Sequence, residues 1–289
     1  MEEQDLSSSN ITLPSTLENS RSISPLNHSQ LYKFSTQCVT IDNPNAINDQ
    51  FNSSSVPIYQ SATFKGLNGL YDYSRSGNPT RTHLEHHLAK ISSANHAFSV
   101  SSGMAALDVI CRILKPGDHV IAGDDLYGGT NRLLTYLKNN AGVIVHHIDT
   151  CNPSNINNYL DPLKTKLVLL ETPTNPLIKI CDIQEVSNRV KSISPNAIIV
   201  VDNTMMSPYL QRPLELGADI VYDSATKYLS GHHDLMAGVI VCNDDDLAKV
   251  NYIFFKILDT ILTLIILAYG VHNQFGWKWS WSFRFFLTP

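Results

Sequence analysis

Two short runs, at 166–170 and 197–201, constrain the fold more than anything else in this chain. Leu167 to Leu170 follow one another without a polar break, as do Ala197 to Val201. A strand with one wet face alternates polar and apolar residues. A run that is apolar at every position needs cover on both faces, which is the condition of strands in a parallel sheet. Between the two runs, Ile183, Val186 and Val190 recur at helical spacing. The unit strand–helix–strand is therefore predicted here.

The same alternation extends from about 80 to 245. Leu84, Leu88 and Ile91 line one face of a predicted helix that Thr80 can cap. A strand is predicted at 97–100, then a helix opening at Gly103 with Met104, Leu107, Cys111 and Leu114 on one side. Pro116-Gly117-Asp118 reads as a turn. Strands at 119–122 and 143–148 flank a helix over 131–139 whose apolar residues are Leu133, Leu134 and Leu137. Strands at 220–222 and 238–241 complete the set. Such alternation specifies an α/β fold with a mostly parallel, doubly wound sheet. Ligands of such sheets sit at the carboxyl ends of the strands.

Composition narrows the function classes. With 289 residues and 43% hydrophobic content the chain can bury a sizeable core. Lys and Arg total 21 against 26 Asp and Glu, so bulk attraction to nucleic acid or to an anionic membrane is not expected. Five scattered cysteines, Cys38, Cys111, Cys151, Cys181 and Cys242, form no C-x-x-C pair and read as the reduced thiols of a cytoplasmic protein. His86-His87 and His146-His147 lack a third ligand at metal spacing, so no metal site is expected.

The two ends differ from the middle. Residues 1–35 read as a disordered Ser-rich tail, since the first 30 hold eight serines and no aromatic residue. A targeting peptide is the rival reading, but Glu2, Glu3, Asp5 and Glu18 outnumber Arg21 and no apolar run is present. Residues 251–289 carry 11 of the chain's 25 aromatic residues and only four charges. The apolar run from Ile261 to Tyr269 is about half the ~20 residues a membrane span needs, which favours a buried helix or an ill-fitting tail.

The chemistry-bearing residues fall at the predicted strand ends. After the strand at 97–100 comes Ser101-Ser102-Gly103-Met104, where free amides at a helix start can cradle an anion; a plain helix cap gives the same pattern. The strand at 197–201 ends in Asp202-Asn203-Thr204, where the acid either caps a turn or serves a buried partner. After the strand at 220–222 comes Asp223-Ser224-Ala225-Thr226-Lys227. Hydroxyls at Ser224 and Thr226 can both grip a phosphate and leave Lys227 beside whatever that phosphate anchors; a solvated lysine is the alternative. Together, a phosphate cradle, a buried acid and a lysine match pyridoxal 5'-phosphate (PLP). Its aldehyde takes a lysine, its ring nitrogen an acid, and its phosphate amides and hydroxyls.

Six segments in order carry a resemblance. Tyr71-Asp-Tyr-Ser-Arg-Ser-Gly-Asn-Pro-Thr-Arg81, Ser102-Gly-Met-Ala-Ala106, Asp125-Leu-Tyr-Gly-Gly-Thr130, Glu171-Thr-Pro-Thr-Asn-Pro176, Val201-Asp-Asn-Thr204 and Ser224-Ala-Thr-Lys-Tyr-Leu-Ser-Gly-His232 resemble the trans-sulfuration enzymes of cysteine and methionine metabolism. These are PLP-dependent enzymes of the aspartate-aminotransferase-like fold (fold type I). Tyr71-Asp-Tyr73 and Asp234-Leu-Met-Ala-Gly238 are most similar to plant-type cystathionine β-lyases, while Met206-Ser-Pro-Tyr209 is shared with the γ-lyases.

The resemblance implies roles residue by residue. Lys227 matches the Schiff-base lysine, which also moves the substrate's α-proton. Asp202 matches the partner of the pyridine nitrogen. Tyr127 matches the tyrosine stacked on the cofactor ring, with its hydroxyl near the substrate amine. Gly103, Met104, Ser224 and Thr226 match phosphate ligands. Tyr73 and Arg75 match residues that reach the phosphate in a neighbouring subunit, so a homodimer is the smallest unit implied, and a tetramer the family's usual one. Asn175 matches the asparagine near the phenolic oxygen or the substrate carboxylate, and Arg132 a position assigned to substrate binding. Residues 36–70 would form an arm making subunit contacts and 71–250 the PLP-binding domain. The likeness is expected to stop after 250, with 251–289 an aberrant apolar and aromatic tail in place of the family's C-terminal domain. The implied reaction is β-elimination of L-cystathionine to homocysteine, pyruvate and ammonia. The alternatives are γ-elimination to cysteine, 2-oxobutyrate and ammonia, or a truncated remnant that binds PLP without catalysis.

Overall fold

The computed structural model describes residues 33–40, 44, 53, 55–65 and 70–250. Apart from 33–35, the tail expected over 1–35 lies outside the described residues, and so does all of 251–289.

Among the described residues seven strands form one sheet: β1 (His96–Val100), β2 (His119–Gly123), β3 (Ile144–Ile148), β4 (Thr165–Glu171), β5 (Ile198–Asp202), β6 (Ile220–Ser224) and β7 (Gly238–Cys242). Their spatial order is β1-β7-β6-β5-β4-β2-β3. All neighbours from β6 through β3 pair parallel, while β7 runs antiparallel to both β1 and β6. Helices α1 (Phe34–Gln37), α2 (Pro79–Ile91), α3 (Gly103–Cys111), α4 (Gly128–Asn140), α5 (Ile183–Ile193) and α6 (Ser207–Leu210) accompany it.

The unbroken apolar runs have the cover they require. Leu167 and Leu169 of β4 pack with Val200 of β5 and with Leu107, Ile110 and Leu134 of α3 and α4. Val168 and Leu170 face the other way, with Val201, Ile183, Val186 and Val190 of α5 and Leu88 of α2. Alternate residues of one strand thus feed two separate cores. Each such Leu or Val side chain is worth roughly 1.5–3 kcal/mol of burial, and truncating Leu169 to alanine would cost about 2–5 kcal/mol.

Two local expectations change. Asn78, not Thr80, caps α2: its Oδ1 accepts the amides of Thr80 and Arg81 at 2.9 and 3.4 Å. Pro79 takes the first helical position, where a missing N–H costs nothing. The Thr80 hydroxyl instead donates to the Pro57 carbonyl at 3.0 Å and accepts the Tyr59 amide at 2.9 Å, tying the preceding segment down. Helical order also begins at Phe34 rather than after residue 35. The Phe34 ring is held by the Arg212 guanidinium 4.7 Å from its centroid and by Tyr209 at 5.9 Å.

Candidate active site

The carboxyl ends of β1, β5 and β6 and the start of β7 converge because glycine permits it. A Cβ on Gly103 would stand 2.8 Å from the Ser224 Cβ, so only glycine lets the start of α3 lie against the end of β6. A Cβ on Gly238 would meet the Ser102 carbonyl oxygen at 2.1 Å and the Gly103 nitrogen at 2.8 Å. Ser102 caps α3 by accepting the Ala105 amide at 3.0 Å. At this helix start the Gly103 and Met104 amides are the ones an anion can use. Across from them, Ser224 Oγ and Thr226 Oγ1 lie 2.7 Å apart, and the Ser224 amide donates to Thr204 Oγ1 at 2.8 Å. Amides at a helix start, held by these close glycine contacts opposite a pair of hydroxyls, are the donor set for a phosphate.

Lys227 lies three residues beyond Ser224, exposed, with its amide donating to the Ser224 carbonyl at 3.2 Å. The turn at the end of β6 therefore ties the lysine's backbone to Ser224, one residue after Thr226.

Two acids close the neighbouring strands in register, Glu171 on β4 and Asp202 on β5. Asp202 is half-buried, and its Oδ1 accepts the Thr204 amide at 3.0 Å. Burial pushes its carboxyl above the usual aspartate range, against hydrogen bonding from Thr204 and Tyr222. An acid desolvated in this way is stabilised as an anion by a cation brought beside it, such as a protonated ring nitrogen. Glu171 is 8% exposed and is pushed up to about 7, first by burial and then by the Asp202 carboxylate. The Tyr127 and Asn175 amides work in the opposite direction.

The residues expected around the ring occupy the adjoining loops. Tyr127 precedes α4, 48% exposed, with its ring beside Gly129 and Met104; a Cβ on Gly129 would meet Tyr127 Cε1 at 2.5 Å and Met104 Sδ at 2.8 Å. Asn175 is exposed on the loop after β4. Arg132 lies one turn into α4, its guanidinium near Gly128. Tyr73 and Arg75 are brought together but not to this crevice. Arg75 stacks over the Tyr73 ring at 5.2 Å, and their partners lie within residues 63–81.

Glu171, Thr204 and Tyr222 were not singled out from the sequence. Glu171 could have been found as an acid ending a buried run beside the one that ends in Asp202. No such local mark attaches to Tyr222, which reaches the site through the register of β5 and β6, whereas Thr204 is carried there by the turn after Asp202.

Residues 35–266 match the family described as Cys/Met metabolism PLP-dependent enzymes. The match runs past residue 250, where the likeness was expected to stop. The chain is 66% identical to a protein of Neurospora crassa named cystathionine beta-lyase, over 71% of this chain and 45% of that one. It is 45% identical to the chloroplastic cystathionine beta-lyase of Arabidopsis thaliana, over 82% of this chain and 51% of that one. Among solved structures it is similar to the cystathionine gamma-lyase of Lactobacillus plantarum complexed with L-serine. That likeness has a TM-score of 0.74 and 33% identity, over 84% of this chain and 64% of the other. The chain thus spans about half the length of these curated relatives. The sheet and its helices have the fold type I architecture, and the cradle, acid and lysine fit PLP. On a match covering most of its length, the chain belongs to the Cys/Met metabolism PLP-dependent enzymes.

Proposed function

We propose that this chain carries the cofactor-binding part of a carbon–sulfur lyase that splits L-cystathionine by β-elimination. Water is consumed, and homocysteine, pyruvate and ammonia are released. The observation that carries the reading is the meeting of Gly103, Ser224 and Thr226 at one cradle, with Asp202 on the adjacent strand end and Lys227 three residues beyond Ser224. The choice of substrate rests on the 66% identity to a relative named cystathionine beta-lyase, against 33% to the solved gamma-lyase.

In this reading the Gly103 and Met104 amides and the Ser224 and Thr226 hydroxyls hold the phosphate. Asp202 would face the ring nitrogen and favour its protonated form. When bound, PLP supplies an electron sink for the substrate's α-carbon. Tyr127 covers the ring face, a contact worth about 1 kcal/mol, and keeps water from it. Asn175 orients the phenolic oxygen or the substrate carboxylate, and Arg132 helps bind substrate. The Lys227 amine would take the α-proton and return a proton to the departing sulfur. Tyr73 and Arg75 serve the phosphate site of a second copy, so the working unit is a homo-oligomer with shared sites, a dimer at least. Five free thiols, Cys38, Cys111, Cys151, Cys181 and Cys242, support a reducing, cytoplasmic setting. Among the described residues no helix is long and apolar enough to cross a membrane.

Product analysis tests the reading. Whatever keto acid the purified chain releases from L-cystathionine in the presence of PLP is expected to be pyruvate, with homocysteine in equal amount. Formation of 2-oxobutyrate and cysteine would reassign it to γ-elimination, and no keto acid at all would leave a PLP-binding chain without lyase activity.

A further inference from the structure

Glu171 ends β4 with both carboxylate oxygens engaged. Oε2 accepts the Tyr127 amide at 2.8 Å, and Oε1 accepts the Asn175 amide at 2.9 Å. One buried side chain thus ties the loop after β2 to the loop after β4, at the two residues that would meet the cofactor ring. Asp125 makes a second tie between the same loops, accepting the Thr174 hydroxyl and the Leu177 amide. Its partners, however, are not residues placed at the ring.

We propose that Glu171 is a positioning residue, which sets the Tyr127 ring and the Asn175 side chain against bound PLP by holding both of their backbone amides. The inference rests on the PLP reading above.

The tie needs a carboxylate. Both oxygens face donors, so a glutamine would turn its NH2 toward one N–H and leave that buried donor unpaired. A protonated glutamic acid has the same defect. The anion is held against Asp202 from β5, Asp125 from the loop after β2 and the Tyr222 phenol from β6. Keeping an acid here is unfavourable in the unliganded chain, as its rise to about 7 records. A cation paired with Asp202 would relieve part of this repulsion, so a bound cofactor and an ionised Glu171 favour each other.

The test uses the full 289-residue chain, its Glu171→Gln and Glu171→Asp variants, and PLP as the probe. Affinity is read from the cofactor's absorbance, and ring orientation from the circular dichroism induced in its visible band at saturating PLP. That second readout is not moved by a change in stability alone. Glu171→Gln is expected to bind PLP about tenfold more weakly and to lose half or more of the induced dichroism per bound cofactor. Wild-type affinity and dichroism in this variant would overturn the proposal. If far-ultraviolet dichroism shows that Glu171→Gln does not fold, Glu171→Asp decides: its shorter arm reaches one amide, so reduced dichroism supports the proposal and wild-type values overturn it. Failure of the wild-type chain to bind PLP would overturn the cofactor reading itself, and the inference with it. Normal wild-type binding with unaltered variants would remove only the role of Glu171.

Discussion

Gly103 and Ser224 are 121 positions apart in the chain, yet a Cβ on the glycine would stand 2.8 Å from the serine's Cβ. The contact joins a helix start to a strand end, and the phosphate cradle depends on it. A side chain at 103 would collide with Ser224 and push α3 off β6. Gly103→Ala is expected to lower PLP affinity by at least about tenfold and to cost about 1–3 kcal/mol of stability. PLP titration and thermal unfolding of the same preparation measure both. An unchanged affinity would place the phosphate elsewhere.

Lys227 is expected to be the residue that borohydride fixes to the cofactor. Reduction of the PLP-loaded chain followed by peptide mapping should find the label on Lys227 alone. A label on another lysine, such as Lys179 in its pairing with Asp124 at 2.8 Å, would refute the assignment.

Asp202→Asn should separate stability from catalysis. The folded-state pKa of Asp202 lies above its unfolded value, so ionising this acid costs the unliganded chain stability as pH rises through the raised pKa. The neutral amide avoids that cost. The unliganded variant should therefore be at least as stable as wild type at pH 8, measured by denaturant unfolding. Its turnover of cystathionine should nonetheless fall about 100-fold, as estimated for losing a well-placed electrostatic partner. A variant as active as wild type would deny Asp202 its role at the ring nitrogen.

Asp223 sits on β6 next to Ser224 but faces the opposite side of the sheet, buried, with Oδ1 unpartnered. Burial, assisted by the Asp202 charge, pushes its carboxyl up to about 8 from 3.8. The unfolded chain gives up this proton near pH 4, while the folded chain keeps it until about pH 8. Stability from this group is therefore full below about pH 4 and declines as pH rises through that window. Asp223→Asn should flatten the decline and stabilise the unliganded chain at pH 8 by on the order of 2 kcal/mol. Unfolding curves at pH 5.5, 7 and 8.5 check this; parallel pH dependence in both proteins would rule it out.

Much of the architecture was legible in the sequence, because the signals are local. The runs 166–170 and 197–201 became β4 and β5 within a residue or two, and their two-sided burial follows from having no polar face. Ser224, Thr226 and Lys227 were legible because three side chains on one short turn stay together whatever the rest of the chain does. Asp202 was legible as the acid that ends β5, and its Oδ1 accepts the Thr204 amide as a turn cap does.

The cap on α2 was not legible. Asn78 and Thr80 are both good caps, and Thr80 was taken out of contention by Pro57 and Tyr59, contacts over 20 residues away in the chain. Nor could the sequence show that β7 would run antiparallel between β1 and β6, which brings Gly238 against Ser102. The sequence alone determined the strands, the helices and the residues on each turn, since 2.0- and 3.6-residue periods and turn chemistry are properties of neighbouring residues. Only the tertiary structure decided which strand ends meet, that Glu171 holds the Tyr127 and Asn175 amides together, and that Asp223 Oδ1 is buried without a hydrogen-bond partner. Those outcomes depend on strand order and register, which are set by packing among residues far apart in the chain.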